Sequence, residues 1–131
     1  MRVHTHRARA DRGQVALEYI GFVAIVLLVG LAAIQLGVAA YAANQAGTGA
    51  RAAARAASLD DPAPGGPRLD PVAAGTAAVS GWLKPRVAPA GGGGDAVAYT
   101  VTLTIPSVIP GIGDFGTTTR TSTMPKLHAH P

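Results

Sequence analysis

Cysteine is absent from the 131 residues of this chain, which excludes disulfide bonds, thiolate metal sites and cysteine nucleophiles. Charged residues are scarce at 14% of the sequence and aromatic residues at 5%, although 48% of the residues are hydrophobic. The charges are too few for an ordinary soluble surface, and the bulky apolar residues outside one segment are too few to fill a large core. We therefore expect at most one domain, built as a membrane segment with a small appendage.

Motifs for catalysis and cofactor binding are also scarce. Gly111, Gly113 and Gly116 have the spacing G-x-G-x-x-G, but threonines follow them instead of the helix that a dinucleotide site requires. We therefore interpret these glycines as part of a hairpin loop. No serine stands in a G-x-S-x-G sequence, and the acidic residues are scattered. The sequence predicts a protein that is not an enzyme and has no cofactor.

Histidine pairs near both ends of the chain are the remaining metal candidates, His4 with His6 and His128 with His130. Both pairs lie in tail segments and neither has a carboxylate close by. Solvated tail histidines are the better interpretation, so we predict no metal site.

A long apolar segment dominates the first half of the chain. No charged residue occurs between Tyr19 and Ala50, a longer stretch than the roughly 20 residues that a helix needs to cross a bilayer. Alanine stays abundant further on, and no proline intervenes before Pro62, which favours one helix over residues 14–58. We expect a membrane protein that is mainly α-helical, whose transmembrane helix leaves the membrane near Asn44.

Small residues recur at every fourth position in two stretches of this predicted helix. They are Ala33 and Gly37, followed by Ala42, Ala46, Ala50 and Ala54. Such a stripe permits another helix to approach closely, which is a common basis of helix association in membranes. An alanine-rich helix also shows this spacing by chance, so helix packing and simple composition both stay open.

A linker and a small α+β region are predicted after the helix. Prolines and glycines indicate a linker over residues 59–71, in which Asp70 and Pro71 also provide the N-cap and first turn of a short amphipathic helix that ends near Trp82. The apolar face of that helix is predicted to carry Val72, Thr76, Val79 and Leu83.

A β-hairpin is predicted to complete the small region, which we place at residues 72–124. Residues 96–105 alternate, with Val97, Tyr99, Val101, Leu103 and Ile105 on one face. The β-branched residues 117–123 are expected to pair with them, and residues 125–131 to form a disordered tail. Because a lone hairpin is marginally stable, we expect it to pack on the short helix or on a partner.

Positive charge is concentrated before the apolar segment, at Arg2, Arg7, Arg9 and Arg12. Nucleic-acid binding would need more basic residues and interleaved aromatic residues, so we predict no nucleic-acid partner. A signal-peptide n-region carries similar charges. Positive charge beside an apolar span is held in the cytoplasm. We therefore expect a single-pass protein of the cell membrane, with its N-terminus in the cytoplasm and the region after Ala50 extracytoplasmic.

Glu18 places a carboxylate at the edge of the apolar segment. An ionised carboxylate costs up to about 3 kcal/mol at the centre of a bilayer, and ionisable groups inside membranes are functional by default. At headgroup level near the start of a helix, the helix dipole stabilises the same carboxylate without any special role. Residue type favours neither interpretation, so the neighbouring residues decide.

Those neighbours carry a family resemblance. The sequence Arg12-Gly13-Gln14-Val15-Ala16-Leu17-Glu18-Tyr19 resembles the processing site of type IV pilin-like proteins, with Glu18 as the fifth residue counted from Gln14. The Glu18-Tyr19 pair is similar to that of the tight-adherence (Tad) pili, in Flp pilins and in the TadE and TadF pseudopilins. The extension of about seventy residues beyond the helix resembles TadE-like minor pseudopilins rather than the short Flp subunits.

The resemblance implies a structural role in a Tad-type pilus or a related secretion apparatus. It implies that a prepilin peptidase cuts between Gly13 and Gln14 on the cytoplasmic side, and that Glu18 and Tyr19 serve assembly and register. Its implied partners are the membrane, the prepilin peptidase, other pilin-like subunits and Tad assembly proteins. One departure is that TadE members commonly carry a proline a few residues into the span, whereas residues 14–57 contain none.

Two other functions remain open on the residues. A secreted small binding protein would lose a Sec signal peptide near Ala40-Tyr41-Ala42, although Glu18 and an apolar run longer than the about 7–15 residues of a typical h-region oppose it. A plain single-pass anchor would not be processed at all. Mature chains would begin at Gln14 for the pseudopilin, after Ala42 for the secreted protein and at Met1 for the anchor.

We expect Gly13→Leu to leave the full-length precursor in the membrane, because a protease cleft that accepts an extended peptide needs a small residue at this position. Intact-mass measurement of the membrane fraction distinguishes the precursor from chains that begin at Gln14. Wild-type chains are the control. If the Gly13→Leu variant still yields chains that begin at Gln14, the hypothesis that a prepilin peptidase cuts after Gly13 is wrong.

Overall fold

The computed structural model describes residues 7–59 and 67–127. In chain order the elements are helix α1 (Arg7–Ser58), helix α2 (Pro71–Ala77), a 3₁₀ turn (Gly81–Leu83) and strands β1 (Arg86–Pro89), β2 (Ala96–Pro106) and β3 (Asp114–Pro125). The strands form one antiparallel sheet in the order β1-β2-β3. The predicted layout of a long helix followed by a small α+β region with a hairpin is confirmed.

Helix α1 is longer than predicted at its start. It already runs at Arg7, seven residues before the expected beginning at residue 14, because the alanines and arginines that precede Gly13 are strong helix formers. Its end at Ser58 agrees with the prediction. There the Ser58 hydroxyl donates a hydrogen bond to the carbonyl of Arg55 at 2.8 Å, and Arg55 places a positive charge in the last turn.

The core lies between the second half of α1 and one face of the sheet. Its buried side chains are Ala42, Ala46 and Ala50 from α1, with Val79, Leu83, Val101, Leu103 and Ile105 from the rest of the chain. Alanine projects only a methyl group, so the sheet comes close to the helix axis and larger side chains fill the space between. Full burial of a residue such as Leu83 or Leu103 contributes about 1.5–3 kcal/mol.

The predicted stripe of small residues is divided by this core. The chain's own appendage fully buries Ala42, Ala46, Ala50 and Ala54, whereas Ala33 and Gly37 are exposed. A surface already covered within the subunit is closed to a second subunit. The close packing that small residues permit is therefore used inside the chain at four positions, and packing of Ala33 and Gly37 against another helix stays a prediction.

Helix α2 begins as predicted and then departs from the predicted pattern. Asp70 caps it by accepting a hydrogen bond from the Val72 amide at 2.9 Å, with Pro71 at the first position. It ends at Ala77, and Val72 and Thr76 are exposed instead of facing the core. The reason is that α2 contacts the core through Gly75.

Gly75 permits that contact because it has no side chain. A Cβ built there would lie 3.0 Å from the Cβ of Ala53 and 3.1 Å from the methyl groups of Val87. Val79 and Leu83 are buried as expected, but they belong to the turn and the 3₁₀ segment that follow α2. The apolar spacing therefore identified two of the four core positions.

The sheet contains a strand that the sequence pattern does not predict. Strand β1 pairs with β2 from Arg86↔Thr102 to Pro89↔Tyr99. The predicted hairpin becomes a three-stranded meander, and the sheet packs on α1 as well as on α2. Within β2, Val101, Leu103 and Ile105 are buried as the alternation predicted, and Val97 and Tyr99 are half-buried.

The hairpin loop and the tail complete the described chain. Residues 107–113 connect β2 to β3, so Gly111 and Gly113 lie in a hairpin loop as interpreted. Gly116 departs from that interpretation, because it lies within β3 and pairs with Ile105. The predicted disordered tail begins too early, since the Lys126 and Leu127 amides donate to the carbonyls of Asp95 and Ser58 at 2.7 and 3.1 Å. Residues 60–66 of the predicted linker and residues 128–131 of the tail lie outside the described residues.

We expect Gly49→Ala to lower the free energy of unfolding by about 1–3 kcal/mol through overpacking. A Cβ at Gly49 would lie 2.6 Å from a methyl group of Val79 and 3.1 Å from the carbonyl oxygen of Gly75. Denaturation in detergent, followed by Trp82 fluorescence, measures the change.

Gly47→Ala is the matched control on the same helix. A Cβ there meets only the end of the flexible Arg51 side chain, at 3.3 Å. Better helix propensity is then expected to raise the stability by up to about 1 kcal/mol. Equal effects of the two substitutions would contradict the packing at Gly49.

Candidate functional site

The first half of α1 exposes apolar side chains around its whole circumference. Each of the following residues is between 51% and 73% exposed: Val15, Leu17, Tyr19, Ile20, Phe22, Ile25, Val26, Leu27, Leu28, Val29, Ile34 and Leu36. The run from Ile25 to Val29 is exposed at every position, and five consecutive residues cover more than one turn of a helix. No side chain of residues 13–34 is buried by the part of the chain that the structure describes, and only Val23 and Leu31 are half-buried.

This half has the length and composition of a membrane span. Within residues 7–59 and 67–127, one helix, Gly13–Ser58, is long and apolar enough to cross a membrane, and only 6% of its most apolar stretch is buried. Signal sequences meet the same criteria of length and composition. The exposed apolar half therefore needs a cover of low polarity, which a bilayer or the helices of neighbouring subunits would provide.

The residues of the predicted processing and assembly site lie at the head of this half. Gly13, Gln14, Glu18 and Tyr19 are all exposed and all helical. Gln14 and Glu18 are four residues apart and therefore share one face of the helix. Glu18 makes no hydrogen bond or ion pair with any side chain that the structure describes. Its carboxylate is exposed.

The helical state of Gly13 bears on cleavage. Gly13 and Gln14 are both exposed, and a Cβ built at Gly13 meets no atom within 4 Å outside the neighbouring helix backbone. A protease that binds an extended peptide must first unwind this turn. Glycine makes that easier, because it destabilises a helix interior by about 0.5–1 kcal/mol relative to alanine.

Gln35 marks the point where the covered half of α1 begins. Its side chain is only 4% exposed. Its amide nitrogen donates to the carbonyl of Pro106 at 3.1 Å, and its amide oxygen accepts from the Val108 amide at 2.9 Å. A single glutamine thus satisfies one donor and one acceptor of the β2–β3 loop and fastens that loop to the helix.

The clamp at Gln35 marks where the chain begins to cover its own helix, nine residues before Asn44. The expectation that the helix leaves a membrane near Asn44 stays a prediction. The sequence contained a signal for the clamp. Gln35 is strongly polar in an apolar run, and it precedes Ala42 by seven residues, which places both on one face of a helix.

A cleft of about 220 Å³ lies beside the clamp. It is lined by Ala32, Gln35, Leu36, Ala39, Ile109 and Phe115. The lining contains no titratable side chain and no nucleophile. The cleft therefore offers an apolar surface and no arrangement for general acid–base or nucleophilic catalysis.

Two aromatic rings stack further along the covered half. Tyr41 and Trp82 lie 6.0 Å apart between ring centroids, with an angle of 6° between their planes. The Tyr41 hydroxyl is 3.1 Å from the Ser80 hydroxyl, and the Gln45 amide nitrogen donates to it at 3.1 Å. These contacts fasten the 3₁₀ turn to α1, about 9 Å beyond Gln35 along the helix axis.

A cluster of metal-binding side chains is absent from the part of the chain that the structure describes. No group of three or more His, Cys, Asp or Glu side chains comes together there. The histidine pairs His4 with His6 and His128 with His130 lie outside the described residues, so the expectation for them stays a prediction.

Comparison with known proteins identifies no relative of this chain. No protein-family model, no curated protein and no solved structure matches the chain. The resemblance at residues 12–19 therefore remains a hypothesis that depends on those residues.

We expect Gln35→Leu to lower the stability of the appendage by about 1–3 kcal/mol, since the Val108 amide and the Pro106 carbonyl lose their partners near an apolar surface. Hydrogen exchange at the Val108 amide measures the loss of its bond to Gln35 directly, and this exchange should become faster.

Gln45→Leu is the matched control, because Gln45 also joins α1 to the appendage but at a more exposed place. We expect a cost of about 1 kcal/mol or less and no change at the Val108 amide. Unchanged exchange at Val108 in the Gln35→Leu variant would contradict the clamp.

Proposed function

We propose that this chain is a pilin-like structural subunit, a TadE-like minor pseudopilin of a Tad-type pilus or related secretion apparatus. In this proposal one helix spans the membrane with the basic leader inside, a prepilin peptidase trims the chain after Gly13, and the appendage lies outside. The protein has no enzymatic activity of its own. Its function is assembly.

The observation that carries the proposal is the two-part exposure of α1. The helix is apolar and exposed all round until Gln35, and from there onward one of its faces is covered by the chain's own appendage. About 20 residues separate Gln14 from Gln35, which matches the hydrocarbon thickness of a bilayer. Such a subunit is suited both to residence in a membrane and to packing among other helices.

The core supports this proposal over the secreted protein. A Sec signal peptide that ended at Ala40-Tyr41-Ala42 would take Gln35 and the buried Ala42 with it. It would also remove Tyr41, which stacks on Trp82. The mature secreted chain would lose the clamp and part of the helix layer on which its sheet packs. An unprocessed anchor keeps this core and differs from the pseudopilin at Gly13 alone.

Glu18 supplies the chemistry of assembly in this proposal. Cleavage after Gly13 creates a positive amine on Gln14, and each charge alone is costly to desolvate near a membrane. The Glu18 carboxylate has no partner among the described side chains. Pairing with the Gln14 amine of a neighbouring subunit would neutralise both charges only at the correct axial stagger, so the pair would select register.

We expect Glu18→Ala to insert into the membrane and to be trimmed normally, yet to be lost from pilus or complex fractions. Removal of the carboxylate should ease membrane residence while it abolishes the register contact. Intact mass reports trimming, and co-purification with the assembled machinery reports assembly.

Leu17→Ala is the matched control, because it shortens an adjacent exposed side chain and leaves the charge in place. That variant should assemble. If Glu18→Ala co-purifies at the wild-type level, Glu18 has no role in assembly and the proposal loses its main chemical support.

A further inference from the structure

The loop between β2 and β3 and the first residues of β3 present large apolar side chains to the outside. Ile112 is 54% exposed and Phe115 is 56% exposed, and Ile109 lies beside them. We call residues 106–115 the hairpin tip. Its one charged residue is Asp114, which is exposed at the start of β3. An apolar tip of this kind is unusual on an appendage whose sheet is otherwise rich in threonine.

The hairpin tip adjoins the exposed apolar half of α1. Ile109 and Phe115 line the same cleft as Ala32 and Leu36, so the tip reaches back along the helix past Gln35. Leu36 is 73% exposed. The apolar surface of the helix and that of the tip are therefore continuous.

The position of the tip along the helix axis matches the outer boundary of a bilayer's hydrocarbon. Gln14 and Gln35 are 21 residues apart, which is about 32 Å along a helix, and a bilayer's hydrocarbon is about 30 Å thick. With Gln14 at the cytoplasmic boundary, as the proposed function requires, Gln35 and the loop fastened to it stand at the outer boundary. Charged Arg51 and Arg55 are more than 20 Å further out.

Three backbone amides of the tip donate hydrogen bonds within the chain. The Val108 amide donates to Gln35, the Ile109 amide to the Ser107 hydroxyl at 3.1 Å, and the Ile112 amide to the Ile109 carbonyl at 3.3 Å. Pro106 and Pro110 have no amide hydrogen. Backbone groups near lipid must find partners within the protein, because the hydrocarbon offers none.

We infer that the hairpin tip inserts Ile112 and Phe115 into the outer lipid interface, next to the span. The ligand is the lipid surface itself, at the level where headgroups meet acyl chains. The tip then acts as a second membrane contact, which holds the appendage against the bilayer and fixes how deeply α1 sits. This inference rests on the proposed membrane span.

Tryptophan quenching in liposomes tests the inference. The chain has one tryptophan, Trp82, so Trp82→Phe gives a background that keeps an aromatic ring on Tyr41. In that background we place one tryptophan by Phe115→Trp, by Val26→Trp in the apolar half, or by Leu59→Trp at the far end of α1.

The full-length protein is reconstituted into phosphatidylcholine vesicles whose acyl chains carry bromine close to the headgroup or deep in the bilayer. Circular dichroism confirms folding, and Ile112→Trp serves as a second tip probe.

We expect tryptophan at 115 or 112 to lose most of its fluorescence with shallow bromine and little with deep bromine. Tryptophan at 26 should respond to deep bromine, and tryptophan at 59 to neither. Quenching at 26 without quenching at 115 and 112 would overturn the inference and leave the membrane span intact.

Two further results would also overturn the inference. A blue-shifted but unquenched tryptophan at 115 would mean that protein, such as a second copy of the chain, covers the tip. Failure of the protein to float with the vesicles would overturn the span and the inference together.

Discussion

The close approach between the alanine face of α1 and the sheet is the interaction on which the rest of the structure depends. Ala42, Ala46 and Ala50 each present one methyl group, so Val101 and Leu103 can reach the helix surface and be fully buried there. A three-stranded sheet with one open face is marginal without a second layer, and α1 supplies that layer. The appendage is therefore part of the helix's own fold and is not an independent domain on a tether.

That arrangement divides one continuous helix into two environments. From Gln35 onward the helix carries a polar clamp, an alanine face and Tyr41, on which Trp82 of the 3₁₀ turn stacks. Before Gln35 it exposes apolar side chains in every direction. Because no break separates the halves, an axial position selected at Glu18 would be passed along the helix to the appendage. In the proposed subunit, the axial register of the helix therefore also sets the position of the appendage's outer surface.

The open face of the sheet has a different character from the face that covers α1. Thr100 with Thr121 and Thr102 with Thr119 form cross-strand hydroxyl pairs at 2.7 and 3.0 Å. Threonine is β-branched, so these pairs favour the strand conformation, and their hydroxyls keep this face wettable. The appendage is therefore asymmetric. Its apolar hairpin tip lies toward the exposed half of α1, whereas the threonine face of its sheet points away from α1.

The sequence by itself determined the features that depend on neighbouring residues. The end of α1 at Ser58, the cap at Asp70, the buried alternation of Val101 to Ile105 and the hairpin nature of the glycine-rich loop all follow from local propensity and spacing. Tertiary structure alone decided which surface covers the alanine stripe, why Val72 and Thr76 face outward, and that Arg86–Pro89 forms a strand too short to show a pattern. It also decided the role of Gln35, whose partners lie 71 and 73 residues away. A periodic pattern reports which face of an element is apolar, but only the packed chain brings a distant loop to it and selects the partner.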